Sequence, residues 1–211
     1  MAATLLLWSG FFLSLRGGAH SELTTADIAL ARFLIPCIVL LPLVLKSIKL
    51  IQKVPKRYML GMFVGCGLPY LLVAGTGMQL APVSDGSALI PGTLPLFVSG
   101  IAVVLFRQPL SSHRILGLML VLGGIAAFLF QGFGHSGNGL LTGYVLFLLG
   151  SMMWATFTIC ARVSNLNPLV AAGVISLLST LGLITLIATG MLKSHLICLL
   201  YTSPSPRDLT T

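Results

Sequence analysis

The stretch Ala81–Arg114, APVSDGSALIPGTLPLFVSGIAVVLFRQPLSSHR, decides the fold of this chain. Its apolar run from Val83 to Phe106 is long enough to cross a bilayer, which takes about 20 residues at roughly 1.5 Å of rise each. Arg107 and His113 follow the run and end it. The stretch therefore predicts one membrane-spanning helix.

Two prolines lie inside this predicted helix. Pro91 lacks the N–H that would bond the carbonyl of Ser87, and Pro95 leaves the carbonyl of Pro91 without its donor. Because lipid cannot satisfy a freed carbonyl, this side of the helix is expected to face protein or a wet cavity. We predict a hinge at the two prolines and an inward face of small or polar residues: Ser84, Ser87, Pro91, Pro95 and Ser99.

The composition is that of an integral membrane protein. Of 211 residues, 56% are hydrophobic and only 8% are charged, and the mean hydropathy is +1.04, which fits an all-α bundle with several spans. The net charge is +8, but the basic residues lie in short loops between apolar runs, so nucleic-acid binding is not indicated. The cysteines show no CxxC or Cys/His spacing, so no metal site, cofactor or disulfide is predicted.

Apolar runs in the sequence predict a polytopic, multi-pass protein of the cytoplasmic or inner membrane. Most Lys and Arg residues fall in the loops assigned to one side, and such an excess marks the cytoplasm, so the N-terminus is predicted to be cytoplasmic. These basic residues are Lys46, Lys49, Lys53, Lys56, Arg57, Arg107, Arg114 and Arg162. The seven predicted spans are approximately Ala2–Leu15, Asp27–Leu45, Tyr58–Leu80, Val83–Phe106, Ile115–Phe130, Leu140–Ala161 and Pro168–Leu192.

An internal repeat links the first and sixth predicted spans. Trp8, Phe11 and Arg16 recur at a constant offset as Trp154, Phe157 and Arg162. Five spans separate the two copies, and an odd number makes them antiparallel, as in the inverted repeats of many secondary transporters. A chance match of these few residues is the alternative.

Several segments resemble the EamA-type family of the drug/metabolite transporter superfamily. They are SDGSALIPGTLPLFVSGIAVVLFRQPLSSHRILGLMLVLGGIAAFL, the WSGFF of the first span and the ALARF of the second. The resemblance implies ten spans in two inverted five-helix repeats, no ATP-binding module, and transport of small metabolites such as amino acids, often outward. It implies a first repeat over residues 1–131 and two helices of a second over 139–197.

The chain departs from the family pattern because only seven of the ten expected spans are present. The tail Cys198–Thr211, CLLYTSPSPRDLTT, shares nothing with the family and resembles the translation of a transposon-type sequencing adapter. Residues 198–211 are therefore expected to be an artefact that follows a truncated reading frame. A natural Pro/Ser-rich tail is the alternative interpretation.

Three classes of function remain to be weighed. A secondary transporter that moves a small metabolite outward by alternating access is favoured, with the lipid bilayer and a small solute as its partners. An integral-membrane enzyme is disfavoured because the histidines are scattered among loops and the acids are few. A channel-like or non-transporting subunit stays the alternative, and a homodimer stays open.

Two charged residues are candidates for substrate binding or ion coupling. Asp85, near the outer end of the hinge helix, is either a proton or cation acceptor or a residue that caps the helix. Arg32 lies inside the second span, where a charge is expected to face the bundle interior. Pairing with Asp27, pairing with an anionic substrate group, and snorkelling to the outer interface remain open for Arg32.

Uncharged candidates complete the predicted site. Tyr70 and Gln79 offer hydrogen-bonding groups on the third span, although most such residues join helices. Trp8 and Trp154 either wall a central pocket or belong to an interfacial belt. Trp8 lies about 12 Å of helix from Arg16, which favours a position inside the bundle.

Overall fold

The computed structural model describes residues 25–107, 109–134 and 139–192, and all regular structure within them is α-helical. The predicted first span, Ala2–Leu15, and the tail Cys198–Thr211 lie outside these residues, so the inverted repeat and the origin of the tail stay predictions. The helices are α1 (Thr25–Lys46), α2 (Ile48–Ile51), α3 (Lys56–Cys66), α4 (Leu68–Leu80), α5 (Val83–Phe106), α6 (Ser112–Gly134), α7 (Leu140–Ser164) and α8 (Pro168–Ala188).

The predicted all-helical fold is confirmed, and six helical segments of the described chain are long and apolar enough to cross a membrane. The span Val83–Phe106 has the predicted bounds. Other ends differ: the helix predicted to begin at Ile115 begins at Ser112, and the last one ends at Ala188, before Leu192. It ends early because Gly190, at φ 73°, turns the chain into the left-handed region.

Helix α7 lies at the centre of the bundle, where it packs against α3, α4, α5 and α6, while α1 packs along α8. Two glycines of α3 face α7 without any room for a side chain. A Cβ at Gly61 would collide with the sulfur of Cys160, and one at Gly65 would collide with the carbonyl oxygen of Met153. Gly61 and Gly65 therefore allow the backbones of α3 and α7 to approach closely.

The third predicted span has the length to cross a membrane, but it is broken into α3 and α4. Gly67 between them has an extended backbone, with φ −86° and ψ −153°. Pro69 lies in the first turn of α4, where its missing N–H leaves no helical bond unmade. The N–H of Leu68 instead donates a 3.1 Å hydrogen bond to Ser179 Oγ of α8. The hydropathy of the segment hid this break, because the apolar run is continuous.

Most of the predicted inward face of α5 does not pack against the described helices. Pro91 and Pro95 are exposed, and of the predicted face Ser99 alone is fully buried. The side that packs on α7 carries Gly86, where the ring of Phe147 would come within 2.8 Å of an added Cβ. Close contact with α7 requires this glycine, so the prolines lie on another side of the helix. The buried residues of α5 are Gly86, Leu89, Ile90, Thr93 and Ser99.

Candidate functional site

The residues predicted as site candidates lie in separate places. Three of them lie beside the break between α3 and α4 and, with two neighbours, form what we call the break cluster: Arg32, Cys66, Tyr70, Trp154 and Phe157. Asp85 lies in the first turn of α5, and Gln79 is exposed near the end of α4. Trp8 lies outside the described residues.

The aromatic part of the break cluster joins α4 to α7. The ring centroids of Tyr70 and Trp154 are 5.1 Å apart at an interplanar angle of 60°, and those of Trp154 and Phe157 are 5.5 Å apart at 67°. Such tilted pairs are favourable arrangements of aromatic rings. Tyr70 is 2% exposed and follows the break directly. Three rings therefore form a continuous wall beside the broken backbone.

Arg32 brings a positive charge to this wall from α1. It is half-buried, it lies about 10 Å along the helix from Thr25, and it interacts electrostatically with Cys66 and Tyr70. Its guanidinium carbon is 5.8 Å from the ring centroid of Phe33, within the range of a cation–π contact. A charge at this depth is costly unless it is solvated or paired, so its usual role in membrane proteins is functional.

The break cluster combines groups that can recognise an organic anion. The guanidinium of Arg32 has the planar fork that matches a carboxylate, and the rings of Tyr70 and Trp154 offer an apolar face. The carbonyl of Phe63 in the last turn of α3 accepts from the N–H of Gly67, whereas the carbonyl of Gly65 has no helical donor because Pro69 lacks an N–H. Together these groups suit a solute that carries a carboxylate and an apolar or ammonium-bearing part.

Asp85 belongs to a different contact, at the opposite end of α5 from Arg107. Its Oδ2 accepts a 2.8 Å hydrogen bond from the hydroxyl of Tyr144, and its Oδ1 accepts one of 3.1 Å from Ser84 Oγ. Phe128 of α6 packs edge-on against Tyr144, with ring centroids 6.4 Å apart. The carboxylate thus joins two helices, and no side-chain hydrogen bond caps the start of α5.

Sequence reasoning missed Tyr144 and Cys66. Tyr144 is the fifth residue of α7, close to a helix end where a tyrosine is typical of the membrane interface, and nothing in the sequence linked it to Asp85. Cys66 was not singled out as a site candidate, and in the structure it interacts electrostatically with Arg32. A signal was present only for the break itself, in the combination of Gly67 and Pro69.

The described part of the chain contains no cluster of metal-binding side chains. Groups of three or more His, Cys, Asp or Glu side chains able to hold an ion do not occur within these residues. Cys37, Cys66 and Cys160 are free thiols.

Comparisons with models of protein families, with curated proteins and with solved structures found no match. The resemblance to EamA-type transporters therefore rests on the sequence segments quoted above. The function has to be argued from the break cluster and the helices around it.

Proposed function

We propose that this protein is a secondary transporter that moves a small carboxylate-bearing metabolite, an amino acid or a related solute, outward across the cytoplasmic membrane by alternating access. The observation that supports the proposal is the break cluster, in which Tyr70 packs on Trp154 beside an interrupted helix and Arg32 interacts electrostatically with Tyr70. Transporters commonly bind substrates at such interruptions near the bilayer midplane.

The position of the break supports a substrate site at depth. Gly67 lies near the middle of the 25-residue segment Lys56–Leu80, so a helix of this length that crosses the bilayer has the break far from both headgroup regions. Non-helical backbone at that depth is tolerated where it is buried in protein or lines a cavity. The N–H of Leu68 donates to Ser179 instead of to the carbonyl of Val64, so this proposal assigns the carbonyl of Val64 to a ligand.

In this proposal a charged group and an aromatic surface of the protein bind different parts of the substrate. The carboxylate of the solute pairs with Arg32, and its side chain packs on Tyr70 and Trp154. An ammonium group, where present, meets the carbonyl end of α3, because cations are favoured at helix C-termini. Uncharged solutes of similar size lack the Arg32 contact and bind more weakly.

The proposal includes an orientation, with the connection between α1 and α3 in the cytoplasm. This connection carries Lys49 and Lys53, and an excess of basic residues in short loops favours that side. Single cysteines at Lys53 and at Asn138, in a background without other cysteines, are expected to react with impermeant reagents from opposite sides. Labelling of both positions from the same side of intact cells would contradict the orientation.

Transport itself is tested with the purified protein in liposomes and a panel of labelled amino acids and uncharged analogues. A transporter gives saturable uptake and counterflow, and a channel-like subunit gives neither. Arg32→Gln is expected to raise KM for carboxylate solutes about 10- to 100-fold, because a charge-assisted hydrogen bond is lost. Arg57→Gln, which removes an exposed arginine, is the matched control and leaves KM unchanged. Absence of counterflow for every solute would refute the proposal.

A further inference from the structure

A cavity of about 330 Å³ opens between the ends of α5, α6 and α7, and we call it the inner cleft. Its wall is apolar and consists of Val98, Ala102, Phe106, Ile159 and Val163. Two exposed cations, Arg114 and Arg162, complete its lining. The inner cleft therefore combines an apolar groove with two positive charges.

Arg162 also lines a second cavity, of about 300 Å³, between α7 and the start of α8. The wall of this cavity is apolar as well, with Phe157, Ala161, Leu166 and Ala171 among its residues. Arg162 thus lies between two apolar grooves. A ligand with one anionic group and two hydrocarbon chains matches this arrangement better than a small soluble anion does.

The inner cleft lies at the basic end of the bundle. Consecutive spans alternate in direction, so the connections after α1, α5 and α7 all lie at this end. Together with the helix ends beside them, they carry eight of the twelve lysines and arginines of the chain, and short basic connections favour the cytoplasmic side. The cytoplasmic leaflet is the one that carries excess anionic lipid, to which basic residues near the surface are attracted.

We propose that the inner cleft binds an anionic phospholipid of the cytoplasmic leaflet, with the phosphate held between Arg114 and Arg162 and the acyl chains along the two apolar grooves. Arginine suits this task because its planar fork forms paired hydrogen bonds to phosphate oxygens. The exposed side chain of Phe106, 46% accessible, extends the apolar surface on which a chain packs. The proposal stands independently of transport.

The test uses purified full-length protein in neutral detergent. Phosphatidylglycerol and phosphatidylcholine with the same chains are titrated separately, and bound lipid is counted by native mass spectrometry. Wild-type protein is expected to bind phosphatidylglycerol more tightly than phosphatidylcholine. The variant Arg114→Gln/Arg162→Gln is expected to bind it about 30-fold more weakly, at about fivefold for each cation. Lys49→Gln/Lys53→Gln removes two exposed charges at the same end and is expected to bind as wild type does.

A second variant tests the apolar grooves without changing the charge. Ala102→Phe fills the inner cleft and is expected to weaken binding of phosphatidylglycerol while both arginines remain. Inorganic phosphate and glycerol phosphate serve as headgroup probes, and neither is expected to compete at the concentrations at which the lipid binds. Equal binding by the arginine variant and the lysine control overturns the proposal. So does full competition by inorganic phosphate together with unchanged binding by Ala102→Phe, which would assign the site to a soluble anion.

Discussion

The hydroxyl of Tyr144 donates a 2.8 Å hydrogen bond to the carboxylate of Asp85 and joins the N-terminal ends of α5 and α7. The two helices run in the same direction, so this contact and the inner cleft lie at opposite ends of the same pair. At one end the hydrogen bond holds the two helices together, and Phe128 packs against the ring of Tyr144 there. At the other end the inner cleft separates them. Separation of α5 from α7 at the end near Tyr144 would have to break this hydrogen bond.

Tyr144→Phe is expected to lower the free energy of unfolding by about 1–3 kcal/mol, because Asp85 loses a hydrogen bond made to a charged group. The change is measured by thermal or detergent-induced unfolding. Tyr58→Phe is the matched control, since its hydroxyl accepts an exposed 3.1 Å bond from Arg57 and its loss costs little. Equal stability of the two variants would show that the Asp85 contact contributes nothing.

Asp85→Asn removes the charge but leaves an amide oxygen that still accepts from Tyr144. We therefore expect a smaller loss of stability than for Tyr144→Phe. If the carboxylate carries protons during transport, the variant also loses part of the pH dependence of the transport rate. A pH profile identical to that of the wild type would assign Asp85 to helix packing alone.

Gly86→Ala is expected to destabilise the protein by about 1–3 kcal/mol, because the added methyl group overlaps the buried ring of Phe147. Gly92→Ala in the same helix is the control. Nothing lies within 4 Å of a Cβ at Gly92, and alanine there favours the helix by about 0.5–1 kcal/mol. The free energy of unfolding is therefore expected to fall for Gly86→Ala and to rise for Gly92→Ala.

Ser179→Ala and Thr180→Val are neighbouring changes with opposite expected effects. Ser179→Ala leaves the buried N–H of Leu68 without its acceptor and is expected to cost about 1–3 kcal/mol of stability. Thr180 Oγ1 is buried and has no hydrogen-bond partner among the described residues, so the isosteric valine is expected to be neutral or stabilising. A destabilised Thr180→Val variant would mean that the hydroxyl has a partner in the assembled protein.

Pro91→Ala/Pro95→Ala is expected to reduce transport more than membrane insertion. The change restores two backbone donors and straightens α5, while the exposed positions lose no packed contact. Gly92→Ala is again the control, because it lies between the prolines and is also exposed. Wild-type transport rates with normal expression in the double variant would remove the hinge from the mechanism.

The helices could be predicted from the sequence because hydropathy and charge act locally. Helix α5 has the predicted bounds, since Pro82 precedes it and Arg107 follows it. The orientation of its faces could not be predicted. The spacing of Ser84 and the prolines indicated one side, but the contact with Phe147 selected the side with Gly86, and the sequence does not say which helix will pack there.

The candidate site was predictable only in part, because the sequence does not show which helices pack together. Arg32, Tyr70 and Trp154 were each identified from residue type and depth, but their meeting depends on how α1, α4 and α7 pack. Asp85 was expected to accept a proton or cation or to cap the helix, whereas its partner Tyr144 lies 59 residues away in the chain. Long-range hydrogen bonds of this kind leave no local pattern in the sequence.

The bond between Leu68 and Ser179 joins residues 111 positions apart, so it has a consequence for how the protein is made. Helices α3 and α4 have 11 and 13 residues, about 16 and 20 Å, and neither is long enough to cross the bilayer alone. They must enter the membrane as one unit, long before α8 has been synthesised. During that interval lipid offers no acceptor to Leu68, so we expect a continuous, kinked helix in which the N–H of Leu68 bonds the carbonyl of Val64. The break at Gly67 then forms only when α8 docks.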